Sequence, residues 1–103
     1  MQHSRRHEIL KDAWVGDAVL TLYVRSKILR EDAEIDGEKS IRMTSNQFLT
    51  AFGEASEVEA QIGRVYAEGG LAQAFAWIEA RILPTFEKQE ENRRKRLNAR
   101  RPG

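Results

Sequence analysis

Ala13–Leu29, AWVGDAVLTLYVRSKIL, decides how this chain is read. Trp14, Val15, Ala18, Val19, Leu20, Leu22, Tyr23, Val24, Ile28 and Leu29 leave a helix there with no continuous polar face. Such a helix is expected at the buried centre of a bundle. One carboxylate interrupts it. At about 100° per residue, Leu10, Ala13, Trp14, Leu20, Val24 and Ile28 fall within roughly 60° of Asp17. An acid in an apolar stripe is costly unless it is paired, hydrogen-bonded or bound to a metal. Asp17 is therefore the first candidate for chemistry.

Outward from that stretch, the pattern predicts a helix over Ile9–Leu29, preceded by eight polar residues, MQHSRRHE, expected to fray. A charged connection follows over Arg30–Gly37, with its turn at Asp36-Gly37. A second helix is predicted over Lys39–Phe52 and ended by Gly53. A third covers Ala55–Ala67 and is broken by Gly69-Gly70. The fourth starts near Leu71, carries Phe75, Trp77, Ile78, Ile82 and Leu83, and is kinked or interrupted by Pro84. Beyond Phe86 the chain is almost wholly polar, extending as a solvated helix that ends in a loose Arg101-Pro102-Gly103. No alternating pattern of a strand occurs. The expected fold is all-α, a compact helical bundle over 1–86 with a charged tail over 87–103.

At 103 residues, 41% hydrophobic and 32% charged, the chain suits one soluble globular domain. It has no cysteine, which excludes disulfides and a thiolate zinc site. The apolar runs are too short to span a membrane, no leader pattern opens the sequence, and a cytoplasmic location is expected. The net charge of +1 hides an uneven distribution. Residues 87–103 hold seven Lys or Arg against three Glu, leaving ten basic and thirteen acidic residues before them. An acidic body with a basic arm suits a protein that holds cations and meets a polyanion.

Glu59 repeats the oddity of Asp17. Phe52, Ala55, Ile62, Gly63 and Tyr66 lie within roughly 60° of it, while Glu57, Gln61 and Arg64 lie opposite. The small residues Ala55, Ser56 and Gly63 leave room beside it for a water or an ion. Two inward carboxylates on two helices can be brought together by packing, and a hard cation such as magnesium binds through one or two carboxylates. The plainer alternative is that each acid pairs with an arginine such as Arg25 or Arg64.

Read as strings, the two segments say more. Trp14-Val15-Gly16-Asp17-Ala18-Val19-Leu20 resembles the signature helix of the ribonuclease III family. Val58-Glu59-Ala60-Gln61-Ile62-Gly63, followed by Val65-Tyr66, resembles that family's second catalytic helix. Ala13, Leu22-Tyr23-Val24-Arg25 and Lys39-Ser40-Ile41-Arg42-Met43-Thr44-Ser45 resemble the Mini-ribonuclease III subtype, which has no double-stranded-RNA-binding domain. The resemblance covers roughly Ala13–Leu83. Larger members carry acids where this chain has Ala13 and Ser56, and Mini-ribonuclease III similarly lacks both. In the family an extra helix and a basic, RNA-gripping loop stand where Phe52 here runs almost directly into Ala55.

The resemblance implies an all-helical homodimer that hydrolyses phosphodiesters in double-stranded RNA, with ribosomal RNA precursors as the substrate. It implies that Asp17 and Glu59 hold Mg2+ or Mn2+, which activates water and offsets charge on the phosphate. Ser56 would orient a metal-bound water, or else cap its own helix. Arg93, Arg94, Lys95 and Arg96 are the candidate RNA-phosphate contacts, although Glu90 and Glu91 are spaced to pair with them along a solvated helix. Trp14, Tyr23, Phe75 and Trp77 are candidates for the dimer interface, or plain core. His3 and His7 have no catalytic role in this reading. The rival function is a non-catalytic helical dimer, either RNA-binding or protein-interacting, that keeps the fold.

Overall fold

The computed structural model describes residues 2–100, with the side chains of 5–99, and every regular element among them is helical. Helix α1 spans Gln2–Asp32, about 46 Å at 1.5 Å per residue. The first eight residues, predicted to fray, belong to it from Gln2 onward, and Ile9 is already half-buried. Ala33, at φ 60°, ends the helix by donating its N–H to the Leu29 carbonyl at 3.1 Å.

Asp36 is not part of a free turn. Its side chain accepts the Lys39 N–H at 3.0 Å and caps α2, Gly37–Thr44. The single helix predicted over 39–52 is broken at Ser45, whose ψ of 151° leaves the helical region. Its hydroxyl accepts the Phe48 N–H at 3.1 Å and starts α3, Asn46–Leu49. A 3-10 turn, Thr50–Phe52, follows, and Gly53 at φ 137° ends it. Serine competes for backbone donors in this way, a property that helical periodicity does not register.

Two residues, Gly53 and Glu54, lead into α4, Ala55–Arg81. The predicted break falls inside it: Gly70 (φ 82°, ψ −177°) divides α4 into two arms. After Ile82 the chain continues as α5, Leu83–Arg100. Pro84 lies in the first turn of α5, where its missing N–H leaves no helical bond unmade.

The α1–α4 pair is the spine, and the described chain measures 61 × 26 × 21 Å. Leu20, Val24, Met43, Leu49, Ile62, Ile78 and Ile82 are fully buried between α1, α2, α3 and α4. Edge-to-face rings tie distant segments to this core: Tyr23 to Phe75 at 5.1 Å and Phe48 to Phe86 at 5.8 Å. Burial, and then the charge of Glu79, push the Tyr23 phenol up to about 12.

Helix α1 is not buried all round. Trp14 (81% exposed), Val15, Leu22 and Leu29 face solvent, because α4 and α2 cover only part of its circumference. Of the proposed interface aromatics, Tyr23 is core, Phe75 and Trp77 are half-buried against it, and Trp14 alone is open. Helix α5 starts as part of the body. The Arg42 guanidinium donates from Nε and Nη2 to the Glu90 carboxylate at 2.9 and 2.8 Å, fastening α5 to α2. The terminal residues 101–103, expected to be loose, lie outside those described. Among the described residues no helix is long and apolar enough to cross a membrane.

Candidate metal centre at the α1–α4 crossing

Small residues set the geometry. Ala13 and Gly16 on α1, and Ala60 and Gly63 on α4, are all buried three residues apart. A Cβ on Gly16 would collide with the carbonyl of Glu59, and one on Gly63 with the carbonyl of Asp12. The two backbones are therefore in direct contact. This corrects the sequence reading that Gly63 leaves room for an ion: the other helix fills that room. The glycines act instead by bringing their acidic neighbours together, since Asp17 follows Gly16 and Glu59 precedes Gly63 by one turn.

Asp17 is exposed, not sunk in the core as the helical wheel implied. Its wheel neighbours Leu10 and Trp14 are themselves exposed, so the stripe around it is half solvent. Glu59 is half-buried and Glu57 exposed. The Asp17 and Glu59 carboxyls are close enough to act on one another. Desolvation pushes the Glu59 carboxyl up to about 7, and a hydrogen bond to Asp17, with that group's negative charge, adds to the rise. Near neutral pH the pair holds its second negative charge only with difficulty.

No arginine relieves the pair. Arg64 lies 3.6 Å from Asp12 and Arg25 is exposed; among the described residues neither Asp17 nor Glu59 forms an ion pair with Lys, Arg or His. Compared with models of known protein families, with curated proteins and with solved structures, the chain matches none of them.

The remaining sequence candidates are scattered. Ser56 does not cap α4, because the capping position is Glu54; Ser56 is half-buried and lines a depression with Arg5, Arg6 and Ile9. His7 is exposed, and the side chain of His3 lies outside the described residues. Arg93 is half-buried near Glu90, whose carboxyl its charge helps hold low, while Arg94 and Arg96 are exposed. Lys95 pairs with Glu91 at 3.3 Å. The direct partner of Glu90 is not Arg93 or Arg94, as helical spacing suggested, but Arg42, 48 residues away.

Among the described residues no group of three or more His, Cys, Asp or Glu is arranged around one point. Two carboxylates suit a hard cation that keeps most of its waters, as magnesium does. An uncompensated pair with one member resisting ionisation has the donor chemistry for such an ion, whose charge would reverse the mutual repulsion.

Proposed function

We propose that this protein is a divalent-cation-dependent endoribonuclease that cuts double-stranded RNA as a homodimer. The observation that carries the reading is the juxtaposition of Asp17 and Glu59 with no ion-pair partner for either among the described residues. Like charges are held adjacent only at a cost, and this fold maintains the pair by a glycine-on-glycine crossing. The substrate class comes from the Gly16-Asp17 and Val58-Glu59-Ala60 strings, through their resemblance to ribonuclease III.

A bound Mg2+ or Mn2+ supplies positive charge against the phosphate and eases ionisation of the attacking water. Glu59, half-buried on α4, and Asp17, exposed on α1, would hold the ion through their carboxylates. Arg93, Arg94 and Arg96 serve as backbone contacts, since A-form RNA is gripped by shape and phosphate rather than by its deep groove. Trp14, with Leu22 and Leu29 along the same exposed side of α1, supplies apolar surface for the second copy.

A non-catalytic dimer is the second reading. It is favoured by the two-residue Gly53–Glu54 connection, where the proteins this chain resembles carry an RNA-gripping segment. Incubation with long double-stranded RNA and magnesium separates the two. Magnesium-dependent cutting that disappears in Asp17→Asn and Glu59→Gln supports the nuclease; retention of RNA without cutting establishes the rival.

A further inference from the structure

The Gly70 kink creates a second site that the Asp17–Glu59 pair does not use. It folds the arms of α4 so that Gln61, Arg64, Val65 and Glu68 from the first meet Trp77 and Arg81 from the second. Together they line a depression of about 310 Å3, at the small end of the range of ligand pockets, roughly 300–1,000 Å3. Gln61, Arg64 and Glu68 are on the opposite side of α4 from Glu59 by helical period, so this depression and the acidic pair face different ways.

The chemistry of its walls is specific. Trp77 is half-buried and the Arg81 guanidinium lies over its ring, 5.5 Å from the centroid. Arg81 is exposed above that ring, and a nucleobase stacks on a guanidinium plane as it does on an aromatic ring. Arg64 is half-exposed, and among the described residues its ion pairing is a single 3.6 Å approach to Asp12. A guanidinium has five N–H donors, so most of those on Arg64 are free for a phosphate. Glu68 and Gln61 add an acceptor and an amide to the lining, suited to the amino and ring nitrogens of a base. Set against Glu68, the two arginines leave the lining with one net positive charge.

We propose that this depression binds a nucleoside monophosphate, its base stacked on the Arg81–Trp77 layer and its phosphate on Arg64. The same chemistry is offered by a free nucleotide and by the phosphorylated terminal nucleotide of a single strand. The site is independent of the nuclease reading.

The test uses Trp14→Phe protein, in which Trp77 is the sole indole. AMP should quench its emission saturably, while adenosine and inorganic phosphate each bind about tenfold more weakly, because each makes only half the contacts. By calorimetry, Arg64→Gln and Arg81→Gln should each weaken AMP about fivefold or more with unchanged circular dichroism. Asp17→Asn should leave AMP binding as it was, separating this site from the acidic pair. A 5′-phosphorylated oligoadenylate binding about tenfold tighter than AMP identifies a strand end as the ligand; equal or weaker binding identifies the free nucleotide. The proposal is overturned if AMP gives no saturable quenching up to about 10 mM, if phosphate alone matches it, or if both arginine variants bind like the parent.

Discussion

Two junctions of this molecule each join charged groups from distant segments, and they do so with opposite signs. At the α1–α4 crossing, Asp17 and Glu59 are like-charged, and the Glu59 carboxyl is pushed up to about 7. At the α2–α5 junction, the hydrogen bonds and charge of Arg42 hold the Glu90 carboxyl below the usual range. The first junction opposes folding at neutral pH and is maintained by close backbone packing. The second supports folding and fastens a helix. A strained pair kept by rigid neighbours and a satisfied pair used as a clasp carry different expectations for mutation, pH and cations.

The contrast breaks most severely at the glycines. Gly16→Ala and Gly63→Ala each drive a methyl into the facing backbone, which has no side chain to swing away. A loss of about 3 kcal/mol or more is expected by chemical denaturation, with the acidic pair separated. A variant of parental stability would show that the helices do not touch there.

Next comes the clasp. Glu90→Gln or Arg42→Leu should cost roughly 1 kcal/mol, since the pair is bidentate but partly open to solvent. Glu90 has its folded pKa lowered, so its contribution is present above the ordinary carboxylate range and is lost as pH falls through the lowered value. Parental protein should lose stability on acidification more steeply than Glu90→Gln, as followed by melting temperature across pH.

Glu59 has the reverse sign. Its folded pKa exceeds its unfolded value of 4.5, so the native state binds more protons and stability falls as pH rises from about 4.5 to about 7. Asp17→Asn and Glu59→Gln should therefore stabilise cation-free protein at pH 8 by under about 1 kcal/mol after solvent screening, seen as a higher melting point. Magnesium should raise that of the parent more at pH 8 than at pH 5, because only the ionised pair binds it. Equal effects at the two pH values would remove the cation from the pair.

The smallest effect is at Ala33, which has a left-handed φ of 60°. Ala33→Gly should stabilise by about 0.5–1 kcal/mol, measured by urea midpoint, and leave both junctions unchanged.

The all-helical class, the α4 break at its paired glycines and the ending at Gly53 were legible in the sequence, because glycine punctuation and apolar spacing are local signals. The split at Ser45 was not, since a serine becomes a cap only when its hydroxyl finds a particular amide. Asp17 was placed in the interior by a wheel that counts apolar neighbours but does not know which of them α4 covers. Adjacency of Asp17 and Glu59 was suggested by their odd positions; its cause, two glycines in backbone contact, shows in sequence only as small residues three apart. Glu90 illustrates the same limit, since nothing local selects Arg42 over Arg93 or Arg94.

The Gly53–Glu54 bridge is exposed along both its residues and begins with a glycine conformation that a side chain would resist. A surface joint of that kind can be lengthened at little entropic expense, about 0.6 kcal/mol for each doubling of the added loop. It is thus a natural grafting point, where extra chain could be spliced in beside the first turn of α4 without disturbing the spine below.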